Sequence, residues 1–217
     1  MKIAIIGGTG PEGSGLGFRW AAAGHEVIIG SRRAEKGQQV AAELLALEPD
    51  FPIRGMDNLA AVTACDVAVL AVPYGAQAAT LAGLQEALAG KLLITVVAPT
   101  GEKASVVYRL PSGLSAAEEA QQQLGDAVRV VAAFQNIGAH HLRDLDHEMD
   151  CDVLVCGQKA VDKDVAMRLA QDAGLRGVNA GSLQNAGVVE GLTSLLIFMN
   201  IKYKVKAAGI RIAGISP

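Results

Sequence analysis

The run Gly8-Thr9-Gly10-Pro11-Glu12-Gly13 constrains this chain more than any other feature, because of what stands on either side of it. Met1 to Ile6 is a short apolar run that reads as a strand, and Leu16 to Ala23 reads as a helix closed by Gly24. A G-x-G-x-x-G spacing between a first strand and a first helix has a mechanical meaning. The first glycine permits a tight turn, the second lets backbone approach a pyrophosphate, and the third lets the helix pack close to the strand. Backbone N–H groups at the helix start then meet negative charge. In a chain with 25 glycines the spacing alone is a weak signal. Its position in a strand-turn-helix unit points to dinucleotide binding.

The alternation continues downstream. Glu26 to Ile29 reads as a second strand and Ala34 to Leu47 as a helix; Pro49 and Pro52 then break the chain before an extended segment at Ile53 to Met56. A helix capped by Asp57 or Asn58 runs to Ala64. Asp66 to Val72 and Leu92 to Val97 are continuous apolar runs stopped by Pro73 and Pro99, with a predicted helix from Ala76 to Leu88 between them. Thr100 to Leu114 has no periodic pattern. A helix is expected at Ser115 to Leu124, strands at Val128 to Ala133 and Val153 to Cys156, a helix near Asp162 to Ala173, and an extended segment around Val178. Phe134 to Asp150 is a long loop. Leu183 to Tyr203 reads as one long helix, with Leu192, Leu195, Leu196 and Met199 at helical spacing, too apolar to stand alone on a surface.

These elements predict an α/β, Rossmann-type doubly wound, mostly parallel sheet with a small C-terminal helical domain: residues 1–178 form a dinucleotide-binding Rossmann domain and residues 179–217 a helical segment that makes a homodimer contact. Composition agrees: 51% of residues are hydrophobic and only 4% aromatic, so Ala, Val, Leu and Ile must fill the interior, as in buried parallel strands under helices. A net charge of -3 without a long basic block excludes a nucleic-acid footprint. The three cysteines, Cys65, Cys151 and Cys156, are odd in number and lie in apolar contexts, which argues against a disulfide framework and for the reducing cytoplasm. No signal peptide is read at the N-terminus. The stretch Leu192 to Ile201 falls well short of the ~20 residues of a membrane span, so no membrane partner is expected.

Cofactor choice is read at the end of the second strand. An NAD-selective site places an acidic residue there to accept from the ribose 2′-OH, whereas this chain has Gly30-Ser31-Arg32-Arg33. A Ser hydroxyl and a guanidinium can donate charge-assisted hydrogen bonds to a 2′-phosphate that a carboxylate would repel. Lys36, one helical turn on, adds a second cation. A helix macrodipole disfavours cations at its N-terminus, so a merely solvated basic start is the weaker explanation.

The remaining strand ends, Ala71-Val72-Pro73-Tyr74, Val97-Ala98-Pro99 and Phe134-Gln135-Asn136-Ile137-Gly138, offer no evident acid, base or nucleophile. No catalytic side chain is therefore named, and hydride transfer alone would need none. His140, His141 and His147, with Asp144, Asp146 and Glu148, crowd one loop. They lack H-x-x-x-H spacing, and Arg143 opposes a cation, so a solvated loop and no metal is the expectation.

In these residues the chain resembles the NADPH-dependent reductases of the 8-hydroxy-5-deazaflavin coenzyme F420. The resemblance runs nearly end to end, through Gly7-Gly8-Thr9-Gly10, His25-Glu26, Gly30 to Arg33 with Lys36, Ile53-Arg54-Gly55-Met56, Cys65-Asp66, Val72-Pro73, Asp152 to Gly157, Val189 to Thr193, and Gly209-Ile210-Arg211-Ile212. It implies reversible hydride transfer between the nicotinamide of NADP(H) and the deazaflavin of coenzyme F420, the two rings stacked in a cleft. By position, the resemblance assigns Gly8, Thr9, Gly10, Pro11, Glu12 and Gly13, with Ser31, Arg32 and Lys36, to holding NADP. It assigns Val72, Pro73, Ala76, Ala98 and Ala139 to the nicotinamide half, and Gln135 and Ile137 to the deazaflavin. A family relative has His where this chain has Gln135 and Pro where it has Gly138. Two other classes stay open on residues alone: an NADPH-dependent reductase of a flavin, ferric chelate, imine or β-hydroxy or keto acid, and an NADP-sensing module without turnover.

Overall fold

Strands and helices alternate from the first residues of the computed structural model, which describes residues 1–215. β1 (Lys2–Ile6) leads to α1 (Pro11–Ala22), β2 (Glu26–Ser31) to α2 (Ala34–Leu45), and β3 (Ile53–Asp57) to α3 (Asn58–Ala64). β4 (Val67–Leu70) leads to α4 (Tyr74–Ala82) and the short α5 (Gln85–Leu88), and β5 (Leu92–Thr95) to α6 (Ala116–Leu124). β6 (Arg129–Ala132), β7 (Asp152–Gly157), α7 (Ala160–Asp172), β8 (Arg176–Asn179) and α8 (Ala186–Tyr203) follow. The strands form one sheet in the order β3-β2-β1-β4-β5-β6-β7-β8. Every neighbouring pair is parallel except β6 and β7, which run antiparallel with Ala132 opposite Cys156.

Both faces of this sheet are covered, which is why its strands read as unbroken apolar runs. Side chains alternate across a strand. Ile3 and Ile5 of β1, Ile29 of β2 and Val69 of β4 pack with Leu16, Trp20, Leu44 and Leu169 on one face. Their neighbours Ala4, Ile6, Ile28 and Leu70 pack with Val62, Leu81, Leu88 and Leu124 on the other. The chain leaves β1 toward β2 and β3, then crosses to β4 on the opposite side. That reversal opens a crevice at the carboxyl ends of β1 and β4, where doubly wound sheets bind ligands.

Several boundaries differ from the sequence reading. The predicted helix Ala76 to Leu88 starts earlier, at Tyr74, and breaks at Gly83 into α4 and α5. The predicted helix from Leu183 starts as a 3-10 turn over Leu183–Asn185, and α8 proper begins at Ala186. Of the two proposed caps Asp57 serves, its carboxylate accepting from the Ala60 N–H at 2.9 Å. The expected 179–217 segment begins on the last residue of β8, and its residues 216 and 217 lie outside the described chain. α8 buries Ala186, Val189, Glu190, Ser194 and Leu196 but leaves Val188, Phe198 and Ile201 in water. No helix among the described residues is long and apolar enough to cross a membrane.

Candidate cofactor site

The turn after β1 is closed by hydrogen bonds to β1 itself, to β2 and to the start of α3. The Gly8 N–H donates to the carbonyls of Ile5 at 3.0 Å and Gly30 at 2.9 Å, and the Gly7 N–H to Asn58 Oδ1 at 3.2 Å. Gly7 sits at φ +70°, a left-handed conformation only glycine adopts without strain. A Cβ on Gly13 would stand 3.0 Å from the Gly8 backbone and 3.2 Å from Ile5, so α1 rests directly on the turn. A Cβ on Gly10 would meet nothing within 4 Å. Gly10 is also the N-cap of α1, and no side chain caps it. The first-turn N–H groups of Glu12 and Gly13 therefore have no intrahelical acceptor, and they stand beside open space. That is the arrangement a pyrophosphate requires.

Glu12, in that first turn, is half-buried, and its Oε1 is enclosed without a hydrogen-bond partner among the described residues. Burial pushes its carboxyl up to about 8, so at neutral pH it is chiefly protonated and adds little negative charge to an anion site.

At the far end of the turn, Ser31 closes β2 with its hydroxyl buried, 3.5 Å from the Arg33 N–H. Arg32, Arg33 and Lys36 are exposed. Lys36 Nζ donates to Gln39 Oε1 at 3.2 Å, while among the described residues no side chain pairs with Arg32. Ser31, Arg32, Asn58, Leu59, Ala76 and Thr80 line a cavity of about 350 Å³. Ala76 thus stands beside the Ser31-Arg32 end of the crevice.

A second cavity, about 500 Å³, opens at the other side of the turn between Thr9 and Pro11 and the loop residues Ala139, His140 and Arg143. Arg143 donates to Ser14 Oγ at 2.6 Å, and Ser14 Oγ in turn donates to the Gly10 carbonyl at 2.7 Å, so this guanidinium is fixed against the start of α1. The sequence offers Asn58 only as a candidate helix cap and Arg143 only as a charge in the histidine loop; the fold brings both to the turn.

Comparison with known proteins agrees with this geometry. Residues 2–99, which hold the glycine turn and β2, match the family model described as NADP oxidoreductase coenzyme F420-dependent. The F420-dependent NADP reductase of Methanothermobacter marburgensis is 44% identical over 223 aligned positions covering 99% of each chain. The chain belongs to the family of F420-dependent NADP reductases. That of Methanocaldococcus jannaschii is 41% identical over 99% of each chain. A solved structure titled a putative F420-dependent NADP reductase, from Arthrobacter sp. FB24, superposes with a TM-score of 0.79 over 98% of this chain and 99% of that one at 24% identity, which concerns the fold alone.

In this member of the family, Val72 and Ala98 are half-buried at their strand ends and Pro73 is exposed at the N-cap of α4. Phe134, fully buried and edge-on to Trp20, takes φ +75°, an unusual conformation for a bulky residue, just where β6 gives way to the loop. The next residue, Gln135, is turned inward. It is 3% exposed, its Nε2 donates to the Thr95 carbonyl at 2.9 Å, and its Oε1 has no partner among the described residues. Its own carbonyl accepts from Thr193 Oγ1 of α8 at 2.7 Å. Ile137 is buried. A cavity of about 640 Å³ lies beyond these strand ends, where Pro99, Tyr108 and Leu110 face Glu190, Gly191 and Leu195 of α8. Glu190 closes its floor, with its two carboxylate oxygens accepting from the Ala116 and Ala117 N–H groups at 2.9 and 3.0 Å. Burial raises that carboxyl to about 7 despite the two donors.

Proposed function

We propose that this family member catalyses reversible hydride transfer between NADP(H) and the deazaflavin coenzyme F420, acting as a homodimer in the cytoplasm. The observation that carries the reading is the set of groups around the turn: helix N–H groups without intrahelical acceptors beside an open Gly10, and, after β2, a buried Ser31 and an Arg32 that no side chain among the described residues pairs with. The relatives' names supply the second ring. Residues 8–13 would hold the pyrophosphate through backbone N–H groups, with Glu12 kept neutral, and Ser31, Arg32 and Lys36 would hold the 2′-phosphate. Arg143 adds a cation on the other side of the turn.

The nicotinamide and the deazaflavin, when both are bound, supply the hydride donor and acceptor. The chain's own task is then to bind, align and keep out water, and alignment of bound reactants is worth up to about 7–11 kcal/mol in well-oriented systems. Val72, Ala98 and Ala139 present small apolar surface for that purpose. The cavity under α8, within the usual 300–1,000 Å³ of small-molecule sites, suits a second ring system completed by residues 179–217. The exposed apolar face of α8, with Val188 72% and Ile201 67% accessible, supports its burial against a second copy.

One assay decides. The protein is mixed with NADPH and, in turn, with oxidised coenzyme F420, FMN, ferric chelate, and representative imines and keto acids, and loss of nicotinamide absorbance is followed. Turnover with the deazaflavin is expected; turnover confined to the other acceptors, or to none, refutes the reading.

A further inference from the structure

The loop after β6 carries a second cluster of chemistry. His141, Asp144 and His147 bring two imidazole nitrogens and a carboxylate oxygen within 4.8 Å of one another. The rings of His141 and His147 stack with centroids 3.8 Å and planes 15° apart. Two successive turns create the cluster: the Asp144 N–H donates to the His141 carbonyl at 3.1 Å, and the His147 N–H to the Asp144 carbonyl at 3.3 Å. Each turn begins and ends on one of these residues, and positions three apart in such turns eclipse. A spacing that looks wrong for a helical site is thus correct for a double turn.

The backbone of all three residues is held by one group. Arg19 of α1, 7% exposed, donates through Nη2 to the carbonyls of His141 at 3.3 Å, Asp144 at 2.7 Å and His147 at 2.9 Å, and through Nε to Leu142 at 3.1 Å. Leu142 packs against Gly15, where a Cβ would come within 2.5 Å of it. The loop is pinned from beneath, which presets its outward side chains.

We propose that His141, Asp144 and His147 form a binding site for a divalent transition metal of the zinc class. Two imidazoles with one carboxylate select zinc, cobalt or nickel over magnesium and calcium, and three protein ligands leave a fourth position for water. Zinc–nitrogen bonds of about 2.0–2.1 Å put tetrahedral ligand atoms about 3.4 Å apart, so binding draws the three ligand atoms together and turns the two stacked rings out of their near-parallel planes, until both nitrogen lone pairs meet at one point. Arg143 does not oppose the ion, because its guanidinium is turned to Ser14. The Arg19 charge lies on the carbonyl side of the loop; Asp146 and Glu148 are exposed acids of the same loop, Asp150 is taken up by Arg211, and Lys206 is a positive neighbour of His141 that a bound ion must tolerate. An ion there would cross-link the loop that carries Ala139, His140 and Arg143 toward Thr9 and Pro11.

The test is metal binding by the full chain, stripped with a chelator. Zn²⁺ is titrated against a chromophoric indicator, and Co²⁺ is followed by its visible d–d bands. One equivalent per chain is expected at micromolar affinity or tighter, with cobalt bands free of thiolate charge transfer. H141Q, H147Q and D144N should each weaken binding by about tenfold or more, while C151S binds as the wild type does. Zn²⁺ should raise the Tm of the wild type and leave that of H141Q/H147Q unmoved. Circular dichroism checks that the variants fold; should they not, the cobalt spectrum of the wild type decides alone. Binding weaker than about 100 µM, binding that survives H141Q/H147Q, loss of binding in C151S, or a thiolate charge-transfer band overturns the proposal.

Discussion

Arg32→Ala isolates the charge proposed to separate NADP from NAD. Arg32 is exposed at the end of β2, and no side chain among the described residues pairs with it, so binding a 2′-phosphate breaks no internal contact. A hydrogen bond to a charged group is worth about 1.5–3 kcal/mol, which corresponds to about 10- to 150-fold in Kd. Exposure and screening, with a Debye length of about 8 Å at physiological salt, set the expectation in the lower part of that range, about 10- to 50-fold weaker NADPH. Lys36 must first give up Gln39, 3.2 Å away, so adding Lys36→Ala costs only about 0.5 kcal/mol more. NADH lacks the phosphate, and its affinity should move by less than about twofold. Calorimetric titration of both cofactors at two salt concentrations reads all of this, and the salt dependence of NADPH binding should shrink in the variants. Equal losses for NADPH and NADH, or NADPH binding by Arg32→Ala within about twofold of wild type, would refute the assignment.

Gly13→Ala places a Cβ 3.0 Å from the Gly8 backbone, where α1 cannot retreat without leaving the turn. It should lower stability by about 1–3 kcal/mol and weaken NADPH and NADH alike, measured by denaturant melts and titration. Glu12 and Glu190 have folded-state values of about 8 and about 7, above the ordinary 4.5. The folded state therefore holds more protons than the unfolded one between those limits. Their contribution to stability is full below about pH 4.5 and is lost as pH rises through about 7 to 8. The Tm of the cofactor-free protein should fall across that window and flatten in E12Q and E190Q; a Tm equally steep in both variants contradicts the cause given. Phe198→Glu, on the open face of α8, should convert the proposed dimer to a monomer by light scattering, and a wild-type monomer would remove the dimer reading outright.

What the sequence makes legible here is what is local. The glycine turn could be read because Gly7, Gly8 and Gly13 meet Ile5 of β1 and Ala71 and Val72 just after β4, positions that the βαβ alternation already specifies. The strands could be read because burial on both faces leaves an unbroken apolar run. The break at Gly83 and the start of α4 directly on Pro73 escaped notice, since a helix of alanines and leucines continues by propensity across a point where packing ends it. Gln135 lies beyond such reasoning for another reason. Its neighbour Phe134 takes a positive φ, which redirects the chain at that point, and no residue type announces that turn. Glu190 lies beyond local reasoning in the same way, because its partners are the first N–H groups of α6, more than seventy positions earlier in the chain.

α1 joins the two halves of the candidate site. Its first turn presents unpaired N–H groups to the crevice, while Ser14, Gly15 and Arg19 further along hold Arg143, Leu142 and the loop carbonyls from more than one hundred residues away. Gly15 and Arg19 are four apart and so share a face. The same rigid body therefore sets the position of both the backbone donors at Thr9 to Gly13 and the side chains at Ala139 to Arg143. A change at Arg19 would leave every proposed cofactor contact chemically intact and still displace those at Ala139 and Arg143, because the guanidinium is the common partner of four loop carbonyls. Buried charge of this kind is costly unless fully satisfied. Its retention under a loop that closes a cavity follows if the loop's position, rather than its chemistry, is what the site needs from it.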